Sequence, residues 1–133
     1  MSIPGLLVRF TVVYLLLLVV VALLLGLVGV RGNSGVNVSV LVGSVMGCCI
    51  WFADKNGRYF SESERPLVIL GMTAVDVLMQ LLLVFALAGP DAKQHAGALL
   101  GTVAFVGVLH LLTVWAIVVI TGRKYAKRVA KGG

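Results

Sequence analysis

The sequence predicts an all-α membrane protein: one transmembrane domain, residues 1–133, built as a four-helix bundle with both termini on the cytoplasmic side. Three observations predict it. Of the 133 residues, 60% are hydrophobic and only 12% charged, with a mean hydropathy of +1.10, whereas a soluble domain carries about a quarter charged residues to face water. The apolar residues fall into four blocks, each near the length that crosses a bilayer. Finally, the basic residues cluster in alternate connections, as positive-inside topology requires.

The first block runs from about Val8 to Val30. It is longer than the apolar core of a signal peptide, and Gly29-Val30-Arg31-Gly32 offers no small-residue cleavage pattern, so an uncleaved helix is expected. It is almost all Leu and Val, and it carries no polar side chain after Tyr14. After a polar turn, a second block runs from about Val36 to Phe52. Here Gly35, Ser39, Gly43 and Gly47 recur every four residues, which places small side chains on one helix face. Such a face lets another helix approach closely. It is expected first to pack inside the bundle, with a docking or homodimer face as the alternative.

The segment Ala53 to Pro66 is the longest polar stretch inside the chain, with Asn56-Gly57 as a turn dipeptide. Ser61 and Glu64 have the spacing of a capping box, so a helix starts near them. The third block, about Leu67 to Ala88, ends at Gly89-Pro90-Asp91. The fourth runs from about Ala96 to Thr121 and opens with Gly97 and Gly101 at the same four-residue spacing. A basic tail, residues 122–133, closes the chain.

Orientation follows from the charges. Nine basic residues lie on one side (Arg9; Lys55, Arg58 and Arg65; Arg123, Lys124, Lys127, Arg128 and Lys131) against two, Arg31 and Lys93, on the other. Lys55, Arg58, Arg65, Arg123, Lys124, Lys127 and Arg128 therefore read as a cytoplasmic anchor against anionic lipid. The net charge of +6 is explained by this distribution, and no nucleic-acid partner is expected. Trp51, Phe52, Trp115 and Tyr125 fall near the same boundary. Cys48 and Cys49 are adjacent, a geometry that strains a disulfide, and they read as small packing residues. No catalytic motif and no metal-ligand spacing is present, so no enzyme activity, cofactor or metal is expected.

One polar cluster stands out. An ionisable residue at mid-membrane depth is costly, which makes Asp76 and His110 functional candidates by default. Their blocks are joined by a short connection, so the two residues reach similar depths on neighbouring antiparallel helices. Gln80 lies one turn from Asp76 on the same face, and Thr73 and Thr113 are near enough to join them. Two readings stay open. One is a proton-handling site with Asp76 as carboxylate and His110 as relay, the core of a small proton-coupled transporter or channel. The other is a polar clasp that fixes helix register.

Asn37 at the start of the second block, the small-residue run Gly43–Gly47, Phe52, Arg58, Ser61 and Glu64 together resemble a pattern in a family of small four-helix bacterial inner-membrane proteins. The match covers about Asn37 to Ala88. The resemblance implies the four-helix fold and a bacterial inner membrane, and it implies no reaction. The architecture is also similar to that of membrane-embedded immunity proteins that protect a bacterium from membrane-acting toxins. The function expected is thus non-enzymatic: helix–helix interaction with a membrane-protein partner, or homo-oligomerisation, within the lipid bilayer.

Overall fold

The computed structural model describes residues 2–29, 34–87 and 96–132. They form four helices: α1 (Ile3–Val28), α2 (Ser34–Asn56), α3 (Glu64–Leu87) and α4 (Ala96–Gly132). Each is long and apolar enough to cross a membrane, and there is no strand among the described residues. The expected turn at Gly89-Pro90 and the residues Arg31 and Lys93 lie outside the described residues.

All four helices run beyond the apolar blocks, for local reasons. α1 starts at Ile3 rather than near Val8, because Ser2 accepts from the Gly5 amide at 3.3 Å and Pro4 occupies the first turn. It ends at Gly29, whose φ of 71° is the left-handed cap that glycine takes without penalty. α2 continues past Phe52 through the polar Asp54-Lys55-Asn56, and stops where Gly57 turns with φ 62°. At α3 both halves of the capping box form: the Glu64 amide reaches Ser61 Oγ at 3.3 Å, and the Ser61 amide reaches Glu64 Oε2 at 2.9 Å. α4 shows the largest difference. The basic tail is its continuation through Gly132, since Lys, Arg and Ala are strong helix formers and no proline interrupts them.

The helices pack as a ring in the order α1, α2, α4, α3. Residue pairings give their directions. Leu7 meets Gly71 and Tyr14 meets Asp76, so α1 and α3 are parallel. Arg9 lies on Trp51 while Tyr14 reaches Asn37, so α1 and α2 are antiparallel. α3 and α4 are likewise antiparallel, with Val77 against Gly107 and Asp76 on His110.

The core lies toward the basic end. In α1 only Leu6, Phe10 and Tyr14 are buried, at i, i+4 and i+8, so one stripe faces inward. They meet Leu41, Val45, Cys49 and Phe52 of α2, Val68 and Met72 of α3, and Val114 and Val118 of α4. Cys48 and Cys49 are both buried free thiols within this core. The other half of α1 is mostly exposed, with Leu18 and Val21 partly buried against the core and Leu27 84% exposed. The α2–α3 connection closes the basic end: Phe60 is buried with its ring 4.4 Å from Phe52, and Tyr59 faces Tyr125 at 6.1 Å. The Tyr59 hydroxyl donates to the Val118 carbonyl at 2.6 Å. Burial holds this phenol well above its ordinary pKa, so it stays a donor. Its ring can come so close only because Gly122 has no side chain, as a Cβ there would stand 2.7 Å from the ring.

Candidate functional site

α3 carries Asp76 twelve residues in from Glu64, about 18 Å along the helix axis. In a hydrocarbon core about 30 Å thick this is mid-depth. The carboxylate is fully buried and is met by donors from three helices. The Tyr14 hydroxyl donates to Oδ1 at 2.6 Å. On the other oxygen, the Gln80 Nε2 group donates to Oδ2 at 2.8 Å, and His110 Nδ1 lies 2.6 Å from the same atom. Asn37 of α2 completes the group, with its amide oxygen 3.3 Å from the Tyr14 hydroxyl. One polar network therefore ties all four helices together at the end of the core away from the basic side.

Proton counting limits the roles. A phenol has one proton, and the 2.6 Å contact with the carboxylate takes it. The Asn37 amide oxygen, at 3.3 Å, is the longer contact of the same hydroxyl. The Asp76–His110 contact also needs one proton between Oδ2 and Nδ1, because two lone pairs or two protons facing each other at 2.6 Å would repel. The Gln80 Nε2 group lies 2.8 Å from both Oδ2 and Nδ1, so it bridges the two partners of that contact. His110 is 3% exposed. A carboxyl group met by three side chains in a buried site is held in place, and removing any of them strands a buried polar group.

The expected cluster is thus assembled in part. Asp76, Gln80 and His110 come together. Thr73 is buried one turn away, yet its hydroxyl has no hydrogen-bond partner, and Thr113 turns back to donate to the Leu109 carbonyl at 2.9 Å. Thr113 therefore does not join. Tyr14 and Asn37 do, although sequence reasoning did not assign them. Their signal is that Leu6, Phe10 and Tyr14 repeat every four residues in a helix otherwise uniform in Leu and Val.

The small-residue face is also placed differently from the first expectation. Gly35, Ser39, Gly43 and Gly47 all face outward. A Cβ built on Gly43 or Gly47 would meet nothing within 4 Å, and the same holds for Gly97 and Gly101 on α4. Bundle packing instead uses Gly71 against Leu7, Gly107 against Val77 and Gly122 against Tyr59. The reason is that α1 lies to one side of the α2 stripe, so Gly43 and Gly47 floor an open groove of about 480 Å³ walled by Val12, Val13 and Cys48. At its basic end the Arg9 guanidinium stacks on Trp51, 3.8 Å from the ring centre, with the Lys55 ammonium at 5.7 Å from the same ring.

Of the remaining basic residues, Arg58 forks onto Glu64 at 2.7 and 2.9 Å, an exposed pair at the capping box. Arg65, Arg123, Lys124, Lys127 and Arg128 are exposed. Comparison with family models, curated proteins and solved structures gives no match to this chain.

Proposed function

We propose that the protein is a non-enzymatic integral membrane protein of a bacterial inner membrane, with both termini cytoplasmic, that acts by docking a membrane-inserted protein on its α1–α2 groove. One observation carries this reading: the small-residue stripe is left open on the outside, with free space beyond Gly43 and Gly47. Without a hydrophobic drive between helices in lipid, close backbone approach over small residues is how bilayer helices associate. The internal network of Tyr14, Asn37, Asp76, Gln80 and His110 serves this function as a clasp that keeps the four helices in register. Immunity against a membrane-acting toxin is the sharpest form of the reading, supported by architecture alone.

The test is co-purification in mild detergent. Wild type is expected to retain a stoichiometric membrane protein, and Gly43→Leu/Gly47→Leu, still helical and monodisperse, is expected to lose it. Undiminished capture by that folded variant removes the groove from the argument.

A second reading is favoured by the Asp76–His110 contact, a one-proton link at mid-depth. As a small proton-coupled transporter or channel, the protein would require Asp76. Reconstituted Asp76→Asn is then expected to lose flux while remaining folded, and flux at the wild-type rate refutes this reading. None of the described grooves is lined by Asp76 or His110, which is why the docking reading is preferred.

A further inference from the structure

Most hydroxyls on these helices behave alike. Thr11, Ser39, Ser44, Thr102 and Thr113 each donate to the carbonyl four residues back, at 2.8 or 2.9 Å. Thr121 does not. It is only 5% exposed, and among the described residues its hydroxyl has no hydrogen-bond partner. The atom is not enclosed: among the described residues the buried hydroxyl without a partner is Thr73 Oγ1, so the Thr121 hydroxyl reaches the surface of the bundle and is free to bond a group from outside the chain.

Thr121 borders a cleft of about 250 Å³ between α2 and α4. The cleft changes character along its length. Met46 and Ile50 of α2 give it an apolar floor within the span, and Lys124, Tyr125 and Arg128 of α4 form its other end. Lys124 and Arg128 are four residues apart, so both project from one helix face. Neither takes part in an ion pair among the described residues. A hydroxyl open to the surface, two cations outside any described ion pair and an apolar channel below them meet at one place.

We infer that this cleft binds an anionic phospholipid, its phosphate held by Lys124, Arg128 and the Thr121 hydroxyl and one acyl chain lying along Met46 and Ile50. The inference rests on the helices spanning a bilayer and is independent of what docks on the α1–α2 groove. Guanidinium and ammonium groups suit a phosphate diester as fork and point charge. A free phosphate would leave the apolar floor unfilled, which is why the lipid is the occupant.

The protein is released from vesicles of equal phosphatidylglycerol and phosphatidylcholine, and retained lipid is read by native mass spectrometry. Wild type is expected to keep one phosphatidylglycerol. Lys124→Gln/Arg128→Gln is expected to lower that preference by about 30-fold, since each surface cation contributes about a fivefold factor. Thr121→Val, nearly isosteric, is expected to lower it about fivefold by removing one hydrogen bond. Lys127→Gln/Lys131→Gln removes the same charge from the same tail but neither residue lines the cleft, so the preference is expected to persist. Equal loss in both double variants, equal retention of phosphatidylcholine, or displacement by millimolar glycerol phosphate would overturn the inference. The last outcome would mark a site for a free anion.

Discussion

Replacing Tyr14 by Phe isolates the contribution of the polar network with little disturbance of packing. The Phe ring keeps the offset stack on Phe10, whose centroid lies 5.5 Å away with the planes 6° apart. What is lost is one hydroxyl that donates to a buried carboxylate at 2.6 Å. In soluble proteins a hydrogen bond to a charged group contributes about 1.5–3 kcal/mol. In bilayer bundles, double-mutant cycles give about 0.6 kcal/mol on average and about 1.7 at most. Tyr14 and Asp76 are both fully buried, so no water replaces the missing donor, and the loss belongs at the upper end. Tyr14→Phe is therefore expected to destabilise the bundle by about 1–2 kcal/mol. Asp76→Asn and the double variant complete a cycle, with an expected coupling of about 1 kcal/mol. Reversible unfolding in mixed micelles, followed by far-UV circular dichroism, measures all four species. A Tyr14→Phe cost below about 0.3 kcal/mol together with zero coupling would refute the claim that this network holds α1 to α3.

The glycines divide into two groups that stability measurements separate. Gly122→Ala places a methyl 2.7 Å from the Tyr59 ring, which is fixed by its bond to Val118, and is expected to cost about 1–3 kcal/mol in thermal or detergent unfolding. Gly43→Ala meets open space inside a helix and is expected to be neutral or stabilising by up to about 1 kcal/mol in the same assay. Ser61→Ala removes the cap of α3 and is expected to cost about 1 kcal/mol, with faster amide exchange confined to the first turn after Glu64.

The sequence made the four helices legible because a bilayer demands long apolar blocks, and that demand overrides finer patterning. It also brought Asp76, Gln80 and His110 together, since ionisable and amide groups stand out against Leu and Val. Helix ends were less legible. The stretch past Thr121 is basic and reads as a tail, yet its Lys, Arg and Ala propagate α4 to Gly132. Tyr14 was obscured for a different reason: α1 is apolar all round, so hydropathy could not say which of its faces turns inward. The orientation of the Gly43–Gly47 stripe was also beyond reach. Small residues permit close packing wherever they fall, and only the placement of the neighbouring elements decides that Gly71 (against Leu7 of α1), Gly107 (against Val77 of α3) and Gly122 (against Tyr59) are the ones used.

The central claim is that the groove between α1 and α2 meets a membrane-inserted partner. A photo-reactive phenylalanine derivative at Val12 or Val13, which wall that groove, tests it in intact membranes. Phe105, 68% exposed on α4, is the control position. The account expects one adduct of defined mass from Val12 and Val13 and none from Phe105. Equal labelling from all three positions, or none from the groove, would contradict it.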